Sequence, residues 1–472
     1  MRWTCWTLPL PAPPYRSENL LTRLTGTGPL ACAGLCLLVL LAYANALGGV
    51  FQFDDFQVIV EQNVVQSLGA WWGNVGQGIR PLLKLSYTLN WITDAGAAGF
   101  VATNLLIHAL TVCLVARLSQ LFLLAQGLEA RLPHAAWLAA ALFALHPAQT
   151  EAVSYICGRS SSLMALLYLA GLWAHATAPA TRSTGWRQLL APLCFALALG
   201  VKETAMTLPL AMLLWDLATG LHGKAALRRA WHSWAVLLLA AAGFLANGAY
   251  RAAMERSLEF NTLGGNAATQ LDALLYLVRQ TVWPLWLNID PDLAVRQDFS
   301  HALPGGLLLL AALVALAWNW RRRPWLGFAL AWALLHWLPL YVFLPRLDVA
   351  NDRQLYLALW PLCLALVVEL YLRCSARTAA TVLAALLLGA GVLTLQRNQD
   401  FHSEIALWEQ TARLSPENSR VHNNLGYAYK EAGQAVQARR AFLDALDRDP
   451  DNFRARLNLR RLNLEQAAKK PK

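Results

Sequence analysis

About eleven apolar runs, separated by short polar segments, occupy most of residues 29–395. They fall at 29–48, 100–125, 134–146, 161–176, 189–201, 204–217, 234–250, 303–320, 325–343, 355–372 and 379–395. A helix of roughly 20 apolar residues crosses a hydrocarbon core about 30 Å thick. Within that core only helices and closed barrels satisfy their own backbone groups. The pattern therefore predicts an all-α, polytopic membrane domain over residues 28–395. A polar segment precedes it at 1–27, and a different kind of polymer follows it at 396–472.

Composition agrees, with 57% hydrophobic residues, 14% charged residues and 20 Trp in 472 positions. The net charge of +11 invites a nucleic-acid partner, but the Arg and Lys residues sit in short clusters between apolar runs. That is the positive-inside pattern, and it argues against nucleic acid. The eight cysteines lie largely inside apolar runs with no CxxC, as small buried hydrophobes do, so neither a disulfide framework nor a metal site is expected.

Charge also sets an orientation. Arg2, Arg16 and Arg23 precede the first run, and Arg321 to Arg323, Arg373 and Arg377 mark the same, cytoplasmic side. Ala44-Asn45-Ala46 resembles a cleavage site, but the long polar segment before the run favours an uncleaved anchor. The stretch 274–287 is interrupted by Arg279, Gln280 and Pro284, and counting it as a span would put the triple Arg outside. It is read as interfacial or re-entrant. An odd number of spans then leaves residues 396–472 outside, and a bacterial inner membrane is the expected setting, with the endoplasmic reticulum as the alternative.

The C-terminal region carries a 34-residue tetratricopeptide pattern in Leu425, Gly426, Tyr429, Ala438, Phe442, Ala445 and Pro450. Pro416 and Trp408 stand one repeat before Pro450 and Phe442. A half repeat therefore comes first, and a degenerate helix is expected over 452–464. An array this short should lean on the membrane domain or a partner. Asn423, Asn424 and Tyr427 are its candidate acceptor or partner contacts.

Polar clusters gather at the outer ends of the spans: Asp54/Asp55, His146/Glu151/Arg159, Lys202/Glu203, Asp290/Asp292 and Asp348/Asp352/Arg353. Acid beside hydrocarbon is expensive, so such a pair is either a solvated loop feature or a site. Asp54 and Asp55 can equally cap a following helix, and Lys202-Glu203 can be a local ion pair. Arg353 suits a phosphate ligand because guanidinium binds phosphate oxygens bidentately, or it is an interfacial anchor. Few ionisable groups, His108 and His336 among them, lie deep in the runs, which weakens a transporter reading.

The residues that carry a likeness are YANALGGVFQFDDFQVI at 43–59, RPLLKLSYTLN at 80–90, His146-Pro147 with Thr150-Glu151-Ala152-Val153, Gly158-Arg159, Lys202-Glu203 and the terminal repeat. Together they resemble the transmembrane-and-tetratricopeptide O-mannosyltransferase family and, more broadly, the GT-C class of polyprenyl-phosphate-sugar transferases. The resemblance implies a multi-span GT-C-like fold in which an acidic residue after the first span, Asp54 or Asp55, deprotonates an acceptor hydroxyl. It implies a lipid-linked hexose donor held near Arg353, Lys202 and Arg159, with Glu151, His146 and Glu203 in support. A protein acceptor or partner would bind at the repeats. Two adjacent carboxylates leave a divalent cation open, and no metal ligand set is identified. Gln149 stands where the family pattern His-Pro-x-His-Thr-Glu has His, and the repeat array is short, so the chain looks like a bacterial relative. The rival expectation is a non-catalytic membrane scaffold whose repeats recruit envelope proteins.

Overall fold

The computed structural model describes residues 28–178, 187–346 and 348–469. The expected segment 1–27 and all but Lys469 of the lysine-rich end, Lys469 to Lys472, lie outside the described residues. Among the described residues every regular element is helical. The main helices are α1 Gly28–Tyr43, α2 Pro81–Trp91, α3 Gly96–Ala125, α4 Ala135–Leu145, α5 Arg159–Thr177, α6 Arg187–Val201, α7 Leu208–Ala218, α8 Trp231–Ala246 and α9 Gly248–Phe260. They continue as α10 Leu263–Val282, α11 Leu303–Arg322, α12 Pro324–Trp337, α13 Leu355–Arg373, α14 Ala376–Asp400, α15 Glu404–Leu414, α16 Ser419–Glu431, α17 Ala435–Arg448 and α18 Phe453–Lys469.

All eleven apolar runs are helical, but they are not equal. Seven described helices are long and apolar enough to cross a membrane, and α8 with α9 makes an eighth only if the pair, bent by 82° at Asn247, counts as one span. The chain is thus a multi-pass membrane protein. α4 and α7 have 11 residues each, a rise of about 16 Å or half a hydrocarbon core. The 274–287 stretch becomes part of α10, a 20-residue helix that stops before Pro284 and is too polar to rank among the seven.

Burial sorts the spans. The helices at Ile156–Thr177 and Asp352–Arg373 have 72% and 67% of their apolar windows buried, against 6% for α11. The former are therefore the interior and α11 faces lipid. The interior is made by Phe122, Trp215, Phe328, Trp332 and Trp360, in edge and stacked contacts such as Phe122 to Phe328 at 4.8 Å. Their polar tips are used, since Trp332 donates to the Leu357 carbonyl at 2.9 Å and Trp360 to the Ser119 hydroxyl at 2.8 Å. The small residues of α4, AAWLAAALFAL, let it pack closely between α1, α3, α13 and α14.

The C-terminal helices form hairpins. Gly426 lies against Phe442 so closely that an added Cβ would meet the ring at 2.6 Å, and Ala438, Phe442 and Leu462 form a small core of their own. Trp408 is fully buried, but against the membrane domain, with its ring 5.0 Å from that of Phe53. The helix expected over 452–464 is α18.

Candidate active site at one end of the helical bundle

The loop after α1 is tightly specified. Phe53 has φ +51°, a conformation that side chains other than glycine rarely adopt. Three contacts hold the loop there: Gln52 donates to the Phe401 carbonyl at 3.1 Å, the Phe53 N–H donates to Glu404 at 3.2 Å, and the Phe53 ring meets Trp408 edge-on. The next two residues then take opposite environments. Asp55 is fully buried, and its two carboxylate oxygens accept the backbone N–H groups of Gln52 at 3.0 Å and Cys157 at 2.8 Å. Burial still pushes it up to about 7 against those hydrogen bonds. Asp54 is only half-buried, and its N–H donates to the Tyr155 hydroxyl at 3.2 Å. Burial raises its carboxyl too, while the charge of Arg353 and a hydrogen bond from Tyr155 pull it back.

Arg353 joins this loop to the rest. Its guanidinium Nε is 2.8 Å from the buried Glu151 carboxylate, its backbone N–H donates to the same carboxylate at 3.2 Å, and the cation lies 5.7 Å from the Tyr155 ring centre. Burial raises the Glu151 carboxyl, and Arg353 opposes the shift. Asp348 bridges Arg346 at 3.2 Å and Arg353 at 3.9 Å, and burial notwithstanding these two cations hold it below the usual carboxylate range. Asp352 turns the other way, accepting from the Tyr276 hydroxyl at 2.7 Å and the Asn288 N–H at 2.9 Å.

The Lys202-Glu203 turn lies beside a cavity of about 520 Å³. Lys202 is buried and donates to the Ser161 hydroxyl at 2.8 Å. Burial, with the charges of Arg353, Arg346 and Arg80 added, drives its ammonium well below the ordinary lysine range. Glu203 is not free to balance it, because Arg80 grips both carboxylate oxygens at 2.8–3.1 Å. Burial works against ionisation of Glu203, and Arg80 outweighs it. Arg80, Lys202, Glu203 and Arg346 share the cavity wall with Phe244, Leu245, Met254, Leu340 and Leu344, so charge and a long apolar surface meet in one space. α9 supplies Tyr250, whose hydroxyl accepts the Arg80 N–H at 3.1 Å.

The structure gathers Asp54, Asp55, Glu151 and Arg353, and sets Lys202 and Glu203 beside them. Arg159 lies within the field of Asp55 but does not line the cavity: it is fully buried and donates to Asn104 at 2.6 Å and to the Ser86 and Phe100 carbonyls at 2.9 and 2.8 Å. His146 accepts from the Ala148 N–H at 3.3 Å and contacts the Thr281 carbonyl at 3.2 Å, as a helix-end tie. Asn423 turns inward to Asn458 at 3.0 Å, Asn424 is half-buried, and only Tyr427 of that trio is exposed. Arg346 and Tyr155 escaped the sequence reading. The Pro345-Arg346 step just before Asp348 was the available signal for the first, and nothing marked the second.

Among the described residues no group of three or more His, Cys, Asp or Glu side chains converges as a metal site. Each oxygen of Asp55 already accepts one backbone N–H group.

No family model and no solved structure matches the chain. Curated proteins do. Protein O-mannosyl-transferase Tmtc2 of Drosophila melanogaster is 33% identical over 214 residues, 41% of this chain and 22% of that protein. Protein O-mannosyl-transferase F38B6.6 of Caenorhabditis elegans is 24% identical over 88% of this chain and 62% of its own length. Tmtc3 of Drosophila melanogaster, also named a protein O-mannosyl-transferase, is 25% identical over 90% of this chain and 56% of its own. The chain spans less than two thirds of each of these relatives. Two of these likenesses run over most of its length, so this multi-pass chain is similar to proteins named protein O-mannosyl-transferases in fly and nematode.

Proposed function

We propose that the chain is a membrane glycosyltransferase of the GT-C kind that moves a hexose, in the first instance mannose, from a polyprenyl-phosphate sugar to a protein hydroxyl on the extracytoplasmic side. The observation that carries the reading is the placement of a half-buried carboxylate, Asp54, within the field of Arg353 and Arg346, beside an apolar cavity that shares Arg346 and Lys202. The names of the relatives point to the same chemistry.

Asp54 takes the proton of the acceptor hydroxyl, since its raised pKa makes it a better base than an exposed aspartate. The acceptor oxygen bonds to the anomeric carbon as the bond from that carbon to the phosphate oxygen breaks. The bonding pair leaves with the lipid phosphate, where Arg353, Arg346 and Lys202 stabilise the added charge. A phosphate among these cations also relieves the repulsion that adds to burial in depressing Lys202. Asp55 acts by holding the loop.

The test is transfer of radiolabelled mannose from a polyprenyl-phosphate-mannose donor in membranes, comparing the intact protein with Asp54→Asn. Loss of transfer by about 100-fold or more at unchanged protein level is expected. If no donor in a mannose, glucose and N-acetylhexosamine panel is consumed, the proposal fails and the repeats become the part to explain, as a scaffold.

A further inference from the structure

We infer that Glu404, on the first helix of the C-terminal module, is a positioning residue for the base, so that the catalytic loop is completed by the repeats. The inference rests on Asp54 being that base. Phe53 sits at φ +51°, and a non-glycine residue stays there only when its surroundings hold it. The group that holds its N–H is the Glu404 carboxylate, 3.2 Å away and reached across 351 positions of sequence. The neighbouring grips come from the same region, the Phe401 carbonyl on Gln52 and the Trp408 ring on Phe53. Released from them, the backbone relaxes toward negative φ and the Asp54 carboxylate swings away from Tyr155 and Arg353.

Glu404 has a plainer role available. It lies in the first turn of α15 behind the N-cap Ser403, where a negative charge favours the helix dipole. The two roles part in the variants. Gln keeps an oxygen that accepts the Phe53 N–H but has no charge, whereas Ala has neither.

The experiment uses the full chain in membranes, with wild type, Glu404→Gln and Glu404→Ala compared for transfer kinetics and for hydrogen exchange at the Phe53 amide. The expected result is kcat lower by about tenfold or more in the Ala variant with the donor KM within about twofold, since misplacement of a reacting group acts on turnover. The Gln variant should recover most of that loss, and exchange at Phe53 should quicken in Ala alone. Equal losses in Gln and Ala, or faster exchange without a change in kcat, would overturn the inference. Absence of transfer by the wild type itself overturns the base assignment instead, and the exchange data then still report whether Glu404 holds the loop.

Discussion

Asp54 and Asp55 are chemically identical neighbours, and the fold separates them by what each oxygen touches. Both Asp55 oxygens accept backbone N–H groups in a site without water access. An Asn there would turn its NH₂ toward one of those donors, at a cost of about 1–3 kcal/mol. Asp55→Asn should therefore lower the melting temperature, whereas Asp54→Asn should remove transfer and leave melting unchanged; a fluorescence melt of the two purified variants separates them. Asp55 also confers a pH dependence. Its folded value of about 7 lies above the ordinary aspartate value of about 3.9, so the folded state binds the proton more tightly. That contribution is complete below pH ~4 and lost as pH rises through about 7. Melting followed from pH 4 to 9 should fall between about pH 4 and 7 in wild type and level off above it, and Asp55→Asn should lack that fall. The sequence singled out the adjacent pair, but the division between a buried and a half-buried member was not legible in it. That division depends on Cys157 and Tyr155, which lie about a hundred positions away and carry no motif.

Among elements, the bend at Asn247 matters most to the cavity. The Asn247 side chain accepts the N–H groups of Ala249 and Tyr250 at 2.9 and 3.3 Å, starting α9 at 82° to α8. α9 then supplies Tyr250, Met254 and Ser257 to the cavity wall and is tied back by the Ser257 hydroxyl, 2.5 Å from the Pro345 carbonyl. Asn247→Ala removes a cap worth ~1 kcal/mol and loosens that wall. The donor KM should rise several-fold with kcat little changed, which steady-state kinetics on the membrane-bound protein would read. The sequence reading continued the seventh apolar run to residue 250, because nothing in the hydropathy of 234–250 marks a corner, and the cap acts through a single side chain. Periodicity did identify every apolar run as a helix. Hydrophobicity alone does not separate long spans from short apolar helices such as α4 and α7, since it reports burial whether the apolar surroundings are lipid or, as around α4, other helices.

For the whole molecule, the question is how the C-terminal helices α15 to α18 stay folded against the apolar helices. The sequence expects a short repeat array to lean on the membrane domain or on a partner, and polar contacts do run from residues 288–290 to residues 415–420. The Asn288 side chain donates to Ser415 at 2.6 Å, Ser415 donates to the Asp290 carbonyl at 2.9 Å, and Arg420 grips both oxygens of Asp290 at 2.5 and 2.7 Å. Asp290 and Asp292 read as part of the outer charged cluster in the sequence, yet Asp290 serves the interface between the two parts of the chain. The ion pair is unequal. The Asp290 side chain is 8% exposed, whereas that of Arg420 is 32% exposed and able to reach water when unpaired. Arg420→Ala therefore leaves a buried carboxylate without its partner, while Asp290→Ala leaves a cation that solvent can receive. The first substitution should weaken docking by about 1–3 kcal/mol and the second by less. Combining them should be no worse than Arg420→Ala alone, because removing the carboxylate removes the stranded charge. Protease release of α16 to α18 from membranes should order the variants as Arg420→Ala fastest, then the double variant, then Asp290→Ala. Equal release rates for the two single variants would show that the pair contributes by packing alone, and would move the weight of docking to Trp408 and Ser415.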